Sequence, residues 1–216
     1  MAPTHIATQK PGLRERKKRA TRAAILKAAS DLFARDGFEA TSVEKIAEQA
    51  NLSRQTCFNY FSTKPAIAAA LSEAMLISIQ DAVAEARAVP ASTAERLGML
   101  FTKLADGAEA DPQTAHFLVC EAVVTPRDQA TRRKIASRVH ATFEALLQDG
   151  LDAGDLRRDY ELAHLARIVS AGLGECMVTW GVNRRHPLRR DLEETARFLG
   201  ETLSRAAETR PPRRRR

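Results

Sequence analysis

Cysteine is scarce in this chain: Cys57, Cys120 and Cys176 are widely spaced and odd in number. Such a set builds no disulfide framework and fits a reducing compartment. Aromatic residues make up only 5% of the sequence. Valine, isoleucine, tyrosine and tryptophan are sparse beside alanine and leucine, which disfavours strands and favours helix. There is no uninterrupted apolar run of roughly 18 residues, so a transmembrane helix is not expected. The segment from Met1 to Lys18 lacks the apolar core of a secretory signal. The chain is therefore expected in the cytoplasm, without a membrane partner. A Ser-His-Asp set, a phosphate loop, paired catalytic carboxylates and metal-ligand spacing are also missing. No enzyme, cofactor or metal site is expected.

Positive charge is present, and its placement is uneven. The formal net charge of the 216 residues is +7. Residues 1–22 carry a net +6 and residues 208–216 a net +4, leaving −3 for the span between them. Basic tails on a slightly acidic body suit a polyanion such as DNA, although solvated ends alone would look the same. Proline and glycine near the start read as a flexible basic arm over 1–18. A basic tail over 209–216 closes the chain, and its role is left open.

Helical periodicity begins after the arm. Ile25, Leu26, Ala29, Leu32 and Phe33 fall on one face of a first helix that runs to about Asp36, with Gly37 stopping it. Thr41 or Ser42 caps a short second helix with Val43, Ile46, Ala47 and Ala50 as its inner stripe. Asn51 then breaks the pattern, because asparagine tolerates the left-handed backbone of a tight turn. Ser53 caps a third helix, Arg54 to Phe61. Pro65 opens a fourth, which runs to about Val89. Further helices are expected over Ser92–Ala108, Pro112–Val124, Arg127–Leu147 ended by Gly150, Glu161–Val182 and Leu188–Ala207. About nine helices and no convincing strand make an all-α protein. It divides into a helix-turn-helix head over 19–67 and a helical body over 68–208.

The stretch 41–64 carries the functional reading. Two short helices joined by a tight turn place the second helix in a major groove. On the wheel of that helix, Cys57 and Phe61 point inward while Gln55 and Asn59 point out. Side-chain amides pair bidentately with the N6/N7 edge of adenine. Thr56 and Phe58 flank them for thymine methyl, sugar or phosphate. Arg54 sits at the helix N-terminus, and Lys64 is placed to anchor the DNA backbone. Any αα-hairpin with short loops has this spacing, so a helical ligand-binding or protein-interaction module without DNA contact is the alternative. Cys57 lies inward and reads as a small hydrophobe rather than a redox switch.

The ordered run Ile25-Leu26, Ala28-Ala29, Leu32-Phe33, Gly37-Phe38, Thr41-Ser42-Val43, Ile46-Ala47, Ala50-Asn51-Leu52-Ser53, Phe58, Tyr60-Phe61 and Lys64 resembles the tetracycline-repressor (TetR) family over residues 22–67. The resemblance implies a homodimeric repressor that a small ligand releases from a palindromic double-stranded DNA operator. It also implies DNA contacts from Thr41, Ser42, Arg54, Gln55, Thr56, Phe58, Asn59, Tyr60 and Lys64. Two positions depart from the pattern: Phe58 stands where the family usually has tyrosine, and Tyr60 where histidine is frequent. The hydroxyl usually offered to a phosphate is thus absent at Phe58.

Beyond residue 67 the resemblance is one of architecture. It implies self-association through the last two long helices, with Ala171, Gly172 and Gly174 as small mid-helix residues. Leu165, Ile168, Leu173, Met177, Leu192, Phe198 and Leu199 are core or interface. Candidate walls of an effector cavity are Met75, Ile79, Phe101, Leu104, Phe117, Cys120, Phe143, Met177 and Trp180, although each taken alone reads first as plain core. His116, with Cys120 and Glu121 on the same helix and His140 on the next, reads first as a satisfied or exposed histidine, next as an orienting group for a polar ligand head, and last as a metal site. The aliphatic helices lean toward an apolar or acyl-like small-molecule effector.

Overall fold

The computed structural model of the chain describes residues 12–120 and 129–204. Most of the expected arm, the C-terminal arginine run, Glu121 and the expected ends at Val124, Arg127 and Ala207 lie outside the described residues. Among the described residues there are nine helices: α1 Leu13–Asp36, α2 Val43–Gln49, α3 Arg54–Tyr60, α4 Lys64–Ala88, α5 Thr93–Ala110, α6 Pro112–Val119, α7 Gln129–Ala153, α8 Leu162–Val182 and α9 Leu188–Leu203. They contain no strand, only one antiparallel bridge between Leu156 and Ser204. The chain is all-α.

It falls into two compact units that divide after Ile67. In the first, α1 buries Ile25, Leu26, Ala29, Leu32 and Phe33, and Ile46 and Ala47 of α2 are buried with them. Phe33 and Phe38 meet ring to ring at 4.9 Å. The expected arm is corrected here: Leu13 to Lys18 are helical, the first turns of α1. Arginine, lysine and glutamate are good helix formers. The Arg19 guanidinium also pairs with Glu15 one turn back at 3.2 Å.

The second unit centres on Leu97, Leu100, Phe101, Phe143, Leu146, Leu147 and Leu192, all with no exposed surface. Ser92 and Glu95 close a capping box at the start of α5. Asp111 caps α6 with Pro112 in its first turn. One expected stop is wrong. Gly150 does not end α7; the helix continues to Ala153, and Gly154 leaves it with φ +78°. Gly150 instead marks a close approach, since a Cβ there would collide with Thr93 Oγ1. That hydroxyl cannot swing aside without loss, because Thr93 donates from Oγ1 (2.8 Å) and from its backbone N–H (2.7 Å) to the Asp155 carboxylate.

Helix α4 is long and apolar enough to cross a membrane by length and composition. Its apolar side chains have another use. Ile67, Leu71, Leu76, Ile79, Ala82, Val83 and Ala86 are buried in the protein. A helix that is buried along much of its length reads as apolar without any lipid.

The Gly150 contact gives a direct test. Gly150→Ala is expected to destabilise the fold by about 1–3 kcal/mol through overpacking. Thermal melting monitored by circular dichroism measures it, and an unchanged melting temperature would show that α7 and the start of α5 at Thr93 are not in tight contact.

Candidate functional site

The site is built from α2, a turn and α3. Ser42 caps α2 by accepting the Lys45 backbone N–H at 3.2 Å. Asn51 then takes φ +54°, the only positive φ outside glycine among the described residues. This left-handed step reverses the chain within the turn, and the Leu52 N–H donates to the Ala47 carbonyl at 2.9 Å. Ser53 opens α3 by accepting the Thr56 N–H at 3.1 Å.

Helix α3 has seven residues, too few to be stable alone, so packing sets its orientation. Cys57 is fully buried and Phe61 nearly so. Burial raises the Cys57 thiol above its ordinary pKa, with the Glu44 carboxylate adding to the effect. A neutral, enclosed thiol packs rather than reacts. Gln55 and Asn59 emerge on the opposite, exposed side. The Gln55 Nε2 donates to Asn59 Oδ1 at 3.1 Å. That bond sets the two amides side by side and leaves the Gln55 carbonyl and the Asn59 amide N–H groups facing solvent. Thr56, Phe58 and Tyr60 surround them, all three half-buried.

Arg54 has two internal partners that its sequence position did not disclose. It pairs with Glu44 of α2 at 2.9 Å and lies over the Phe58 ring at 5.3 Å. Both ends of the ion pair are largely exposed, so it holds the guanidinium loosely. The Glu44 carboxyl is held below the usual carboxylate range, first by its own backbone N–H, then by the Ser42 hydroxyl, with Arg54 contributing last. A depression lined by Glu44, Ala47, Glu48, Asn51, Leu52, Ser53 and Arg54 opens beside this pair. None of the candidate effector-wall residues lines it.

Two expected contact residues are corrected. Thr41 is 2% exposed, and its hydroxyl donates to the Gly37 carbonyl at 2.8 Å. It closes the α1–α2 loop and presents nothing outward. Lys64 does not reach outward either. Its ammonium donates to the carbonyls of Phe38 (2.6 Å), Thr41 (2.9 Å) and Glu39 (3.2 Å) and sits 4.4 Å from the centre of the Phe38 ring. An ammonium has three protons, and all three are spent on this loop. The partners lie more than twenty residues away in sequence, so no local pattern signals them.

In the second unit, Phe101, Phe143 and Trp180 belong to the main buried cluster, with Leu104 and Met177 packed against it. Ile79 and Phe117 are buried outside that cluster, and Met75 is half-buried. His116 lies 2.9 Å through Nε2 from the Gly181 carbonyl. A carbonyl only accepts, so Nε2 carries the proton. The ring meets Trp180 edge-on at 5.5 Å, and Cys120 Sγ lies 3.7 Å from Nδ1. Burial lowers the His116 pKa, Arg184 lowers it further, and the Gly181 bond opposes both. The ring is therefore neutral near pH 7. Among the described residues no group of three or more His, Cys, Asp or Glu is placed to hold a metal ion.

Gly172 does mark a close approach, but to α9 of the same chain. A Cβ there would lie 3.1 Å from Thr195 Cγ2 and 3.2 Å from Leu199 Cδ1. Leu165, Leu173, Leu192 and Leu199 are buried within the chain. Ile168 on α8 (43% exposed), Val182 at its end (73%) and Phe198 on α9 (64%) are not.

Comparison with known proteins adds the following. The model of the bacterial regulatory proteins of the tetR family matches residues 25–71. The uncharacterized HTH-type transcriptional regulator YfiR of Bacillus subtilis (strain 168) is 30% identical over 164 residues, covering 73% of this chain and 78% of that protein. The HTH-type transcriptional activator FasR of Mycolicibacterium smegmatis is 27% identical over 195 residues, covering 88% and 85%. Among solved structures, Thermus thermophilus FadR, a TetR family transcriptional repressor in complex with lauroyl-CoA, is similar at a TM-score of 0.63 and 26% identity, over 87% of this chain and 97% of that one.

The strut formed by Lys64 is testable. Lys64→Met strips three carbonyls of a charged donor and is expected to destabilise the first unit by about 2–3 kcal/mol. Thermal melting and amide exchange across 37–49 read this out. Unchanged stability and exchange would return Lys64 to the role of an outward-facing anchor.

Proposed function

The chain belongs to the tetR family of bacterial regulatory proteins, and on that premise we propose that it is a DNA-binding transcription regulator, a homodimeric repressor that a small-molecule effector releases from a palindromic operator. One observation carries the DNA reading. The amides of Gln55 and Asn59 stand together on the exposed side of α3, while Cys57 and Phe61 are buried behind them. Such a pair meets the donor and acceptor edge of adenine in the major groove. Ser42, Arg54, Thr56, Phe58 and Tyr60 surround it and supply phosphate, sugar and thymine-methyl contacts.

The head over 19–67 binds DNA and the body over 68–208 takes the effector and the second copy. Exposed Ile168, Val182 and Phe198 on α8 and α9 support self-association through these helices, since large apolar side chains on a surface mark an interaction site. A palindrome needs two heads spaced to meet successive major grooves about 34 Å apart. The effector binds the conformation whose heads do not match that spacing, and the operator is released by population shift. Helix α4, which starts in the first unit and continues in the second, is the covalent link for this coupling.

The effector has an apolar, acyl-like part. The lauroyl-CoA complex of Thermus thermophilus FadR supports this class. Met75, Ile79, Phe101, Leu104, Phe117, Cys120, Phe143, Met177 and Trp180 are proposed as its walls, and His116, its pKa lowered first by burial, as its polar contact. The protein acts in the cytoplasm, where its DNA lies, by binding rather than by catalysis.

Selection of genomic DNA fragments by the purified full-length protein tests the first part. A palindromic site is expected, and Gln55→Ala is expected to weaken it by about 1–3 kcal/mol. Recovery of no sequence by the wild-type protein would overturn the DNA reading. For the effector, lauroyl-CoA at a hundredfold excess over its Kd is expected to raise stability by about 2.7 kcal/mol and to release the selected DNA. No thermal shift with lauroyl-CoA or other acyl thioesters would remove the acyl class.

A further inference from the structure

The first three turns of α1 carry more cations than a helix needs for its own stability. Arg14, Lys18 and Arg22 recur every four residues, so they lie along one side of the helix with a drift of about 40° per step. Arg19 is tied to Glu15, but among the described residues no carboxylate pairs with Arg14, Lys18 or Arg22, and all three are exposed. The side they define is fixed relative to the reading helix. The Arg22 guanidinium lies over the Phe61 ring at 5.4 Å, and Phe61 is the buried C-cap of α3. No glycine or proline interrupts α1, so Arg14 is carried rigidly on a stripe roughly 12 Å long that starts at the base of α3.

From this geometry we infer that Arg14, Lys18 and Arg22 form a rigid phosphate clamp, which engages the DNA backbone alongside the groove that α3 enters. The inference rests on the DNA-binding reading and deepens it. A duplex carries one phosphate per 3.4 Å of axis on each strand, so a stripe of about 12 Å spans several. Because the cations sit on a preformed helix, little backbone ordering opposes the contact, unlike a flexible arm that must be fixed on binding. The clamp reads no bases. It adds affinity that is independent of sequence and sensitive to salt. Arg16, on the other side of α1, takes no part.

The test is the salt dependence of binding to a short DNA duplex, with full-length protein. The double variant Arg14→Gln, Lys18→Gln leaves the Arg22 packing on Phe61 in place and removes only exposed side chains. It is expected to reduce the slope of log K against log salt by about 1.8, since each phosphate left without its cation takes about 0.9 from the slope. The ratio of affinities for specific and unrelated duplexes is expected to stay the same. Arg16→Gln is the control on the far side of the helix, and it is expected to alter the slope by less than half as much. A double variant whose slope equals that of the wild type, or falls no further than the control, overturns the clamp while leaving the DNA reading intact. A wild-type protein with no salt-dependent affinity for any duplex overturns both. Melting curves of each variant confirm that the fold is retained.

Discussion

Helix α3 is too short to choose its own orientation, and the burial of Cys57 and Phe61 chooses it instead. Two side chains one turn apart are locked inward, so whatever lies between them on the far side must face out. Gln55 and Asn59 occupy that side and bond to each other. The turn before the helix makes this possible. At φ +54° a β-branched residue would be strained, whereas asparagine is not. The proposed reading face is therefore a consequence of packing behind it and of one backbone conformation before it.

The same head shows polar residues drawn inward to complete its frame. A loop between two helices leaves carbonyl groups without partners, and a buried orphan carbonyl is costly. Lys64 satisfies three of them at once from the start of α4, and Thr41 supplies another bond within the loop. Both residues look like surface contacts on a one-dimensional reading. The α1–α2 loop consumes their hydrogen-bonding capacity. Arg22 has an analogous double nature, with its stem committed to α1 and its guanidinium resting on Phe61.

In the second unit the constraint is close helix approach. Gly150 against Thr93 lets α7 lie where a Cβ would not fit, and Gly172 against Thr195 and Leu199 lets α8 approach α9 where a Cβ would be tight. A glycine in mid-helix costs about 1 kcal/mol against alanine, so these positions make sense only with their neighbours in view. Burying the leucines of α8 and α9 inside the chain still leaves Ile168, Val182 and Phe198 uncovered, the apolar surface that the proposed second copy would use.

Helix type, order and most starts are legible in the chain, because they follow from local features: apolar spacing for α1, Ser42, Ser53 and Asp111 as caps, Pro112 in a first turn, Asn51 at the turn. The inward set of α3 is legible for the same reason, since a helical wheel needs only neighbours in sequence. The helical state of Leu13–Lys18 escapes any reading that equates charge with disorder, although arginine, lysine and glutamate also build helix. What only the tertiary structure decided is which partner each polar or small residue meets: Lys64 with three distant carbonyls, Arg54 with Glu44, Arg22 with Phe61, Gly150 with Thr93. Sequence fixes a side chain's direction around its own helix axis, and only the packing of separate helices fixes what stands opposite.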